Sequence, residues 1–525
     1  MLMVGRKSGG RMRPLFKWSQ ATAIAVAVGA LSLGLSLWQL TVPGFLQFYD
    51  SGVYLAATFH LVSGALPYRD FTFVQPPGLL LLLSPVGFFS RVFGTHDGFV
   101  LARVVGAVVT GLNVSLLAWL VRPRGRVAML IAGLGLALMP VASSVSSGVK
   151  LEPYLILFVL LGLLVIFSTP ADGEASNRRL VVGGILFGVA AAVKLWAFFP
   201  FIALAVCLMP RYRRRVVVFL SASAISFAAI CLPFFLSAPS SFISQVFTEQ
   251  LTRKANNTNN GGVIFRLKAM TGFQLTSLQP TDREVVIAFV ALVVLVAVAF
   301  SRRIDRNLLD VFLLLASLVT VGALLVGPDT YTYYGYFTAP FLLGLVGVCV
   351  TRLGVPTRRL VNGIRAPRRL RRLGTEVLAL GGAVLVVALI VEGTSFYSNY
   401  AYEYGYDGYP FSAITNLIPA GSCVVYDQVV YGVVSNRLST DPNCPEPVDL
   451  GGMWMAWGDQ LIAPSQTFAA QWQSYFEAAQ YAVLSAPYNS TYVGIPWTPS
   501  LRAWFGRNYY LSFGQLDVFI YAKIS

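Results

Sequence analysis

Charge is scarce in this sequence: of 525 residues only 12% are Asp, Glu, Lys or Arg, against 56% hydrophobic. A soluble domain carries about twice that share of charge. So apolar a chain has too little polar surface to stay dispersed in water and is suited to hydrocarbon. Histidine is nearly absent, and His60 and His96 lack metal-ligand spacing, which favours a surface or capping role over catalysis. No Walker loop, Rossmann glycine pattern or Cys/His cluster is present. Nor is there an internal repeat, which argues against an inverted-repeat transporter. Of five cysteines, Cys207, Cys231 and Cys349 lie in apolar runs and read as packing residues. Cys423 and Cys444 lie in a polar C-terminal segment and can form a disulfide if it faces an oxidising compartment.

What is abundant is the long apolar run. About eleven stretches read as transmembrane helices: 19–41, 100–121, 127–145, 151–168, 180–194, 196–209, 216–236, 285–301, 308–326, 334–351 and 376–392. The first is too long for a signal peptide and lacks a small-residue cleavage pattern. The net charge of +16 is confined to short clusters between these runs, a topology signal rather than a nucleic-acid surface. With the N-terminus cytoplasmic, the inside loops 1–18, 122–126, 169–179, 210–215, 302–307 and 352–375 hold 25 of the 39 Lys and Arg. The run Arg365 to Arg372 reads as a topology determinant attracted to anionic headgroups. Residues 42–99, 237–284 and 395–525 then lie outside, in a multi-pass plasma-membrane protein. Arginine outnumbers lysine 32 to 7, pointing to a GC-rich prokaryotic genome.

The expected architecture is an α-helical polytopic membrane domain over 1–394 followed by an extracytoplasmic mixed α/β domain over 395–525. In the latter, 422–426, 480–485 and 517–523 read as short buried strands. Residues 468–479 read as an amphipathic helix turning Trp472, Tyr475 and Phe476 to a core. The long outside loops 42–99 and 237–284 are where function is expected. Asp50, in FYDSGVY just past the first span, is placed to accept a proton from a hydroxyl at the membrane surface. The plainer reading makes it a helix N-cap. Arg69 and Asp70 adjoin each other ahead of the paired prolines Pro76 and Pro77, which end any regular element.

The order Asp50, Tyr54, Gly64, Pro67-Tyr68-Arg69-Asp70-Phe71, Pro76-Pro77-Gly78, Gly94, Arg103 resembles the first extracytoplasmic loop of GT-C glycosyltransferases. The nearest group is that of the protein O-mannosyltransferases and the lipid A aminoarabinose transferase. Ser147 to Tyr154 is similar to their second outside loop, Gly188 to Lys194 to a glycine-to-lysine run, and Tyr331 to Pro340 to the lead-in of a late span. The resemblance covers most of 45–345. It implies a sugar moved from a polyprenyl-phosphate donor to an extracytoplasmic glycan, lipid or protein, by one displacement with inversion.

Asp50 would be the base, and cationic donors would meet the charge growing on the leaving phosphate. Candidates are Arg69, Lys150, Lys194, Arg253, Arg266 and Lys268, with Lys194, a basic residue of 237–284, and Tyr333 or Tyr336 implied most directly. Two departures stand out: Ser51 replaces an acid common in relatives, and Gln75, which bears no charge, replaces a His or Lys. Glu152 would then be the second acid, holding Lys150 or an acceptor hydroxyl; its plainer reading is an acid at a helix N-terminus. No cofactor is implied, a divalent metal stays open, and nucleic acid is not a partner. The competing class is a multi-pass transporter or lipid flippase. It predicts ionisable residues near the membrane midplane, whereas here they gather at span ends.

Overall fold

A computed structural model describes residues 19–41, 48–146, 148–168, 176–213, 215–252, 262–273, 280–301, 307–328, 330–363, 410–457, 466–490 and 495–524. The apolar runs become helices: α1 Gln20–Leu40, α2 Phe48–Val62, α3 Gly78–Phe93, α4 Thr95–Leu120, α5 Arg126–Leu138, α6 Pro140–Ser146, α7 Leu151–Phe167 and α8 Asn177–Val193. They continue with α9 Phe198–Tyr212, α10 Val216–Ser237, α11 Pro239–Ile243, α12 Glu249–Thr252, α13 Val263–Thr271, α14 Asp282–Ser301, α15 Leu308–Val326 and α16 Gly335–Gly363. Their starts carry the expected caps: Ser19, Ser176 and Asn307 each accept a first-turn N–H through the side chain.

Among the described residues six helices are long and apolar enough to cross a membrane, and α5 with α6 makes a seventh if the bend between them lies within one span. The remaining expected spans are shorter helices, α7, α8 and α9, except 376–392, which lies outside the described residues. So do Arg253 and 365–372. The loop 42–99 holds two helices, α2 and α3. Val286, Val290, Val293 and Val294 on α14 are exposed, the surface that lipid would cover.

Glycine sets the closest approach in the bundle. Helix α8 packs between α7 and α10. A Cβ at Gly184 or Gly188 would run into the carbonyls of Phe219 or Ser223 on α10, the small-residue spacing that lets membrane helices touch. At the end of α8, a Cβ on Gly78 would run into the Ala192 carbonyl. The paired prolines thus stop the chain and the glycine presses the start of α3 against the last turn before Lys194.

The C-terminal domain has a four-stranded sheet in the order β1-β2-β4-β3, with β1 Val424–Tyr426, β2 Tyr481–Leu484, β3 Tyr509–Gln515 and β4 Val518–Lys523. β1 and β2 are parallel and the other pairs antiparallel. The three strands read from the sequence are present. β3 is additional, an edge strand with mostly exposed residues and no burial alternation to betray it. Helix Gln466–Ala478 buries Trp472 and Phe476 beneath the sheet. A disulfide joins Cys423 to Cys444.

Candidate functional site

Four chain reversals meet at one end of the helix bundle. The first turn of α2 carries Asp50, Lys150 directly precedes α7, Lys194 directly follows α8, and a 3-10 turn, Thr332–Tyr334, leads into α16. Lys150 and Lys194 are both extended, with φ of −129° and −154°, so each side chain leaves its helix axis and turns into the junction. Ser51 ties two of the reversals together, its Oγ accepting from Val149 N–H at 2.9 Å.

Two acid–base pairs occupy the junction. Lys150 Nζ donates to Asp50 Oδ2 at 2.6 Å and lies 4.0 Å from the Tyr333 ring centroid. Tyr333 also hydrogen-bonds the Asp50 carboxyl. Lys194 Nζ donates to Glu152 Oε1 at 2.6 Å and rests on the rings of Trp196 and Tyr334, at 3.7 and 4.6 Å. Aromatic faces stabilise a desolvated ammonium by roughly 2 kcal/mol or more. Burial alone would raise the Asp50 pKa, but the Lys150 ammonium, with Tyr333 and Lys194 behind it, holds the carboxyl below its ordinary value. Asp50 is therefore ionised at neutral pH.

Beside Lys194 a cavity of about 620 Å³ runs between α8, α9, α10 and α15. Its walls are mostly aromatic and aliphatic, among them Phe187, Phe198, Phe201, Leu220 and Phe227, and Lys194, Gln75, Gln250 and Ser223 are polar residues in its lining. A largely apolar cavity with a cation in its wall suits a lipid chain carrying an anionic head.

Asp50, Lys150, Glu152, Lys194 and Tyr333 are thus brought together. Asp50 sits within the first turn of α2 rather than at an N-cap, and Glu152 holds Lys194 rather than Lys150. Arg69 and Asp70 instead pair with one another at 2.8 Å on the surface, where Asp70 also accepts from Leu66 N–H. Arg266 is buried with its guanidinium on the carbonyls of Leu324 and Gly327 at the C-terminal end of α15, a capping role. Lys268 pairs with Asp282. Tyr336 lies within the bundle core, bonded to Asn113 Nδ2 at 3.2 Å. His60 is buried rather than on the surface, 3.0 Å from Glu446 of the C-terminal domain, while His96 Nδ1 meets the Val434 carbonyl at 2.9 Å. Among the described residues no group of three or more His, Cys, Asp or Glu is arranged to hold a metal.

Residues the sequence did not single out complete the surroundings. Trp196 and Tyr334 cradle Lys194. Gln245 Oε1 accepts from Phe73 N–H at 2.9 Å and Gln250 Nε2 donates to the Val74 carbonyl at 2.7 Å, fixing the peptide before Gln75. Gln245 belongs to a π-helical turn, Ser244–Thr248, a local distortion common at functional sites. Tyr49 and Asp449 join this group from two domains.

The model of glycosyltransferase family 87 matches residues 73–328. No curated protein sequence matches the chain. Among solved structures, the chain is similar to ArnT from Cupriavidus metallidurans bound to undecaprenyl phosphate, at 16% identity and a TM-score of 0.61, over 96% of this chain and 99% of that one. It is also similar to the oligosaccharyltransferase AglB from Archaeoglobus fulgidus, in complex with an inhibitory peptide and a dolichol-phosphate. There the identity is 12% and the TM-score 0.53, over 96% of this chain and 74% of that one. The chain has the GT-C fold and is a membrane glycosyltransferase.

Proposed function

We propose that this glycosyltransferase moves a sugar from a polyprenyl-phosphate donor to a hydroxyl on an extracytoplasmic glycan, glycolipid or protein, with inversion at the anomeric carbon. The observation that carries this reading is Lys194 in the lining of the largely apolar cavity, near the Asp50–Lys150 pair. The polyprenyl chain lies in the cavity and its phosphate is met by Lys194. The ArnT structure with undecaprenyl phosphate and the AglB structure with a dolichol-phosphate support a donor of this class.

Asp50 serves as the base. The acceptor oxygen forms a bond to the anomeric carbon as the bond from that carbon to the phosphate oxygen breaks. The hydroxyl proton passes to the Asp50 carboxylate, and the electron pair leaves with the polyprenyl phosphate. A carboxylate held below its ordinary pKa is a weak base toward an alcohol in its ground state. It becomes competent once carbon–oxygen bond formation has made that hydroxyl acidic, so proton transfer is late. Lys150 fixes one carboxylate oxygen and Tyr333 holds the group from above its ammonium. By the loop charges, the site faces the exterior and the N-terminus the cytoplasm.

The test is transfer in proteoliposomes, offering radiolabelled polyprenyl-phosphate sugars with a membrane and cell-wall extract shown to be competent as acceptor. Label moving from one donor with wild type, and not with an equally inserted Asp50→Asn, is the expected result. No transfer from any donor overturns the proposal.

A further inference from the structure

The C-terminal domain packs on the junction at Gly52 through Val430, and reaches it with hydrogen bonds through a second short segment. Cys444 is tethered to Cys423 at the start of β1, and the chain then runs through Glu446 and Asp449 into helix Leu450–Trp457. Asp449 is only 5% exposed, and both its oxygens are bonded outside its own side chain. Oδ1 accepts from Tyr49 OH at 3.0 Å and from Gly452 N–H at 2.8 Å, while Oδ2 accepts from Val74 N–H at 3.3 Å. Tyr49 OH in turn accepts from Gly451 N–H.

Those two bonding partners belong to different walls of the site. Tyr49 precedes Asp50 in the first turn of α2, and its ring packs against both the bundle core and the domain core. Val74 precedes Gln75, which lines the cavity, and its carbonyl is held from the other side by Gln250. The Val74 peptide is therefore clamped at both ends, by Asp449 on its N–H and Gln250 on its carbonyl. One carboxylate spans the base-bearing helix and the cavity-bearing loop.

We infer that the C-terminal domain completes the catalytic site through Asp449, a positioning residue that fixes Asp50 and Gln75 relative to each other by its bonds to Tyr49 and Val74. The inference rests on the transfer reaction proposed above. Asp449 does not touch the reacting atoms; it acts through Tyr49 and the Val74 peptide. An amide in its place offers one oxygen where two are used and turns an N–H₂ toward the donors it should accept from. A misplacement of about 1 Å in such a constellation lowers turnover about 100-fold.

The experiment measures kcat and KM for the donor in proteoliposomes with the full chain, comparing wild type, Asp449→Asn, Tyr49→Phe and the double variant. Each value is referred to folded enzyme by size-exclusion and thermal unfolding. Tyr49→Phe removes one oxygen and keeps the ring, so it remains informative if Asp449→Asn folds poorly. The expected result is kcat lowered about 10- to 100-fold in each single variant with donor KM changed little, and a double variant no worse than the weaker single. Lower thermal stability with unchanged kcat per folded enzyme would make Asp449 merely structural and overturn the inference, as would a rise in KM alone. Wild type failing to transfer would refute the proposed function and this inference with it, whereas normal transfer by Asp449→Asn refutes the inference alone.

Discussion

Buried charge appears at both ends of the helix bundle, and the two ends use it differently. At one end Asp310, at the start of α15, is fully buried between two guanidiniums: Arg124 Nε donates to Oδ1 at 2.8 Å and Arg352 NH1 to Oδ2 at 2.8 Å. At the other, Asp50 and Glu152 each face a single lysine. Tyr333 lies in the turn leading into α16 and Arg352 within α16, about 28 Å further along at the rise of a helix. Arginine presents a rigid planar fork, lysine a compact point charge on a flexible stem. The fork suits a lock between the α4–α5 turn, α15 and α16; the point charge, seated on aromatic rings beside a cavity, suits a site whose anion comes and goes. The difference teaches that burial and ion pairing do not by themselves mark function, and that an adjoining cavity does.

Removing charge at each end should give opposite signatures. At the lysine end, Asp50→Asn should lower transfer by about 10²–10⁴-fold, the usual contribution of a positioned base, with folding intact. Asn keeps the size of Asp and one accepting oxygen, and thermal unfolding of the variant checks that α2 is intact. At the arginine end, Asp310→Ala leaves the buried Arg352 and the half-buried Arg124 without their carboxylate, and should lower stability by about 3–5 kcal/mol. Thermal unfolding in detergent reads that loss, while turnover per folded molecule should stay within twofold of wild type. A turnover loss at Asp310 matching that at Asp50 would erase the distinction.

Lys194 joins the two behaviours, since it is both paired and beside the cavity. Lys194→Gln should lower transfer by roughly 10²-fold, as removal of one charge-stabilising donor does. Lys194→Gln combined with Glu152→Gln removes the buried unpaired acid and should restore stability without restoring transfer. Recovery of both would reduce Lys194 to a partner of Glu152. The measurements are kcat and thermal unfolding on the same preparations.

Much of this was legible in the sequence where the signal was local. The spans followed from apolar length and the strands from short β-branched runs. Lys150 and Lys194 stood out as lysines where apolar runs begin or end. The pairing was not local. Lys150 is extended ahead of α7 and Glu152 lies in its first turn, so the two side chains part at the helix start and take different partners. Trp196 and Tyr334 carry no local signal, because their role depends on the end of α8 meeting the turn before α16. Asp449 lies 400 residues from Tyr49, and no pattern along the chain connects them. Arg266, basic and in the right loop, had the composition of a phosphate contact, yet the carbonyls ending α15 claim it.

A fourth carboxylate extends the comparison to the case without a cation. Glu249, at the start of α12, accepts from Ser244 Oγ at 3.2 Å, and its Oε2 is buried with no hydrogen-bond partner. Burial, opposed by the Ser244 bond and reinforced by Asp449, pushes its pKa from 4.5 to about 7. The folded value lies above the unfolded one, so the folded state binds this proton more tightly. Its contribution to stability is full below pH 4.5 and is lost as the pH rises to 7, at up to about 1.4 kcal/mol per pH unit in between. Glu249→Gln keeps the shape and cannot titrate. The difference in unfolding free energy between wild type and Glu249→Gln should therefore move against wild type from pH 5 to 7 and level off by pH 8. Other titrating groups cancel in that difference unless they touch Glu249. A flat difference would mean the carboxyl is already ionised at pH 5, as Asp50 is, and the grading by cations would collapse to two classes.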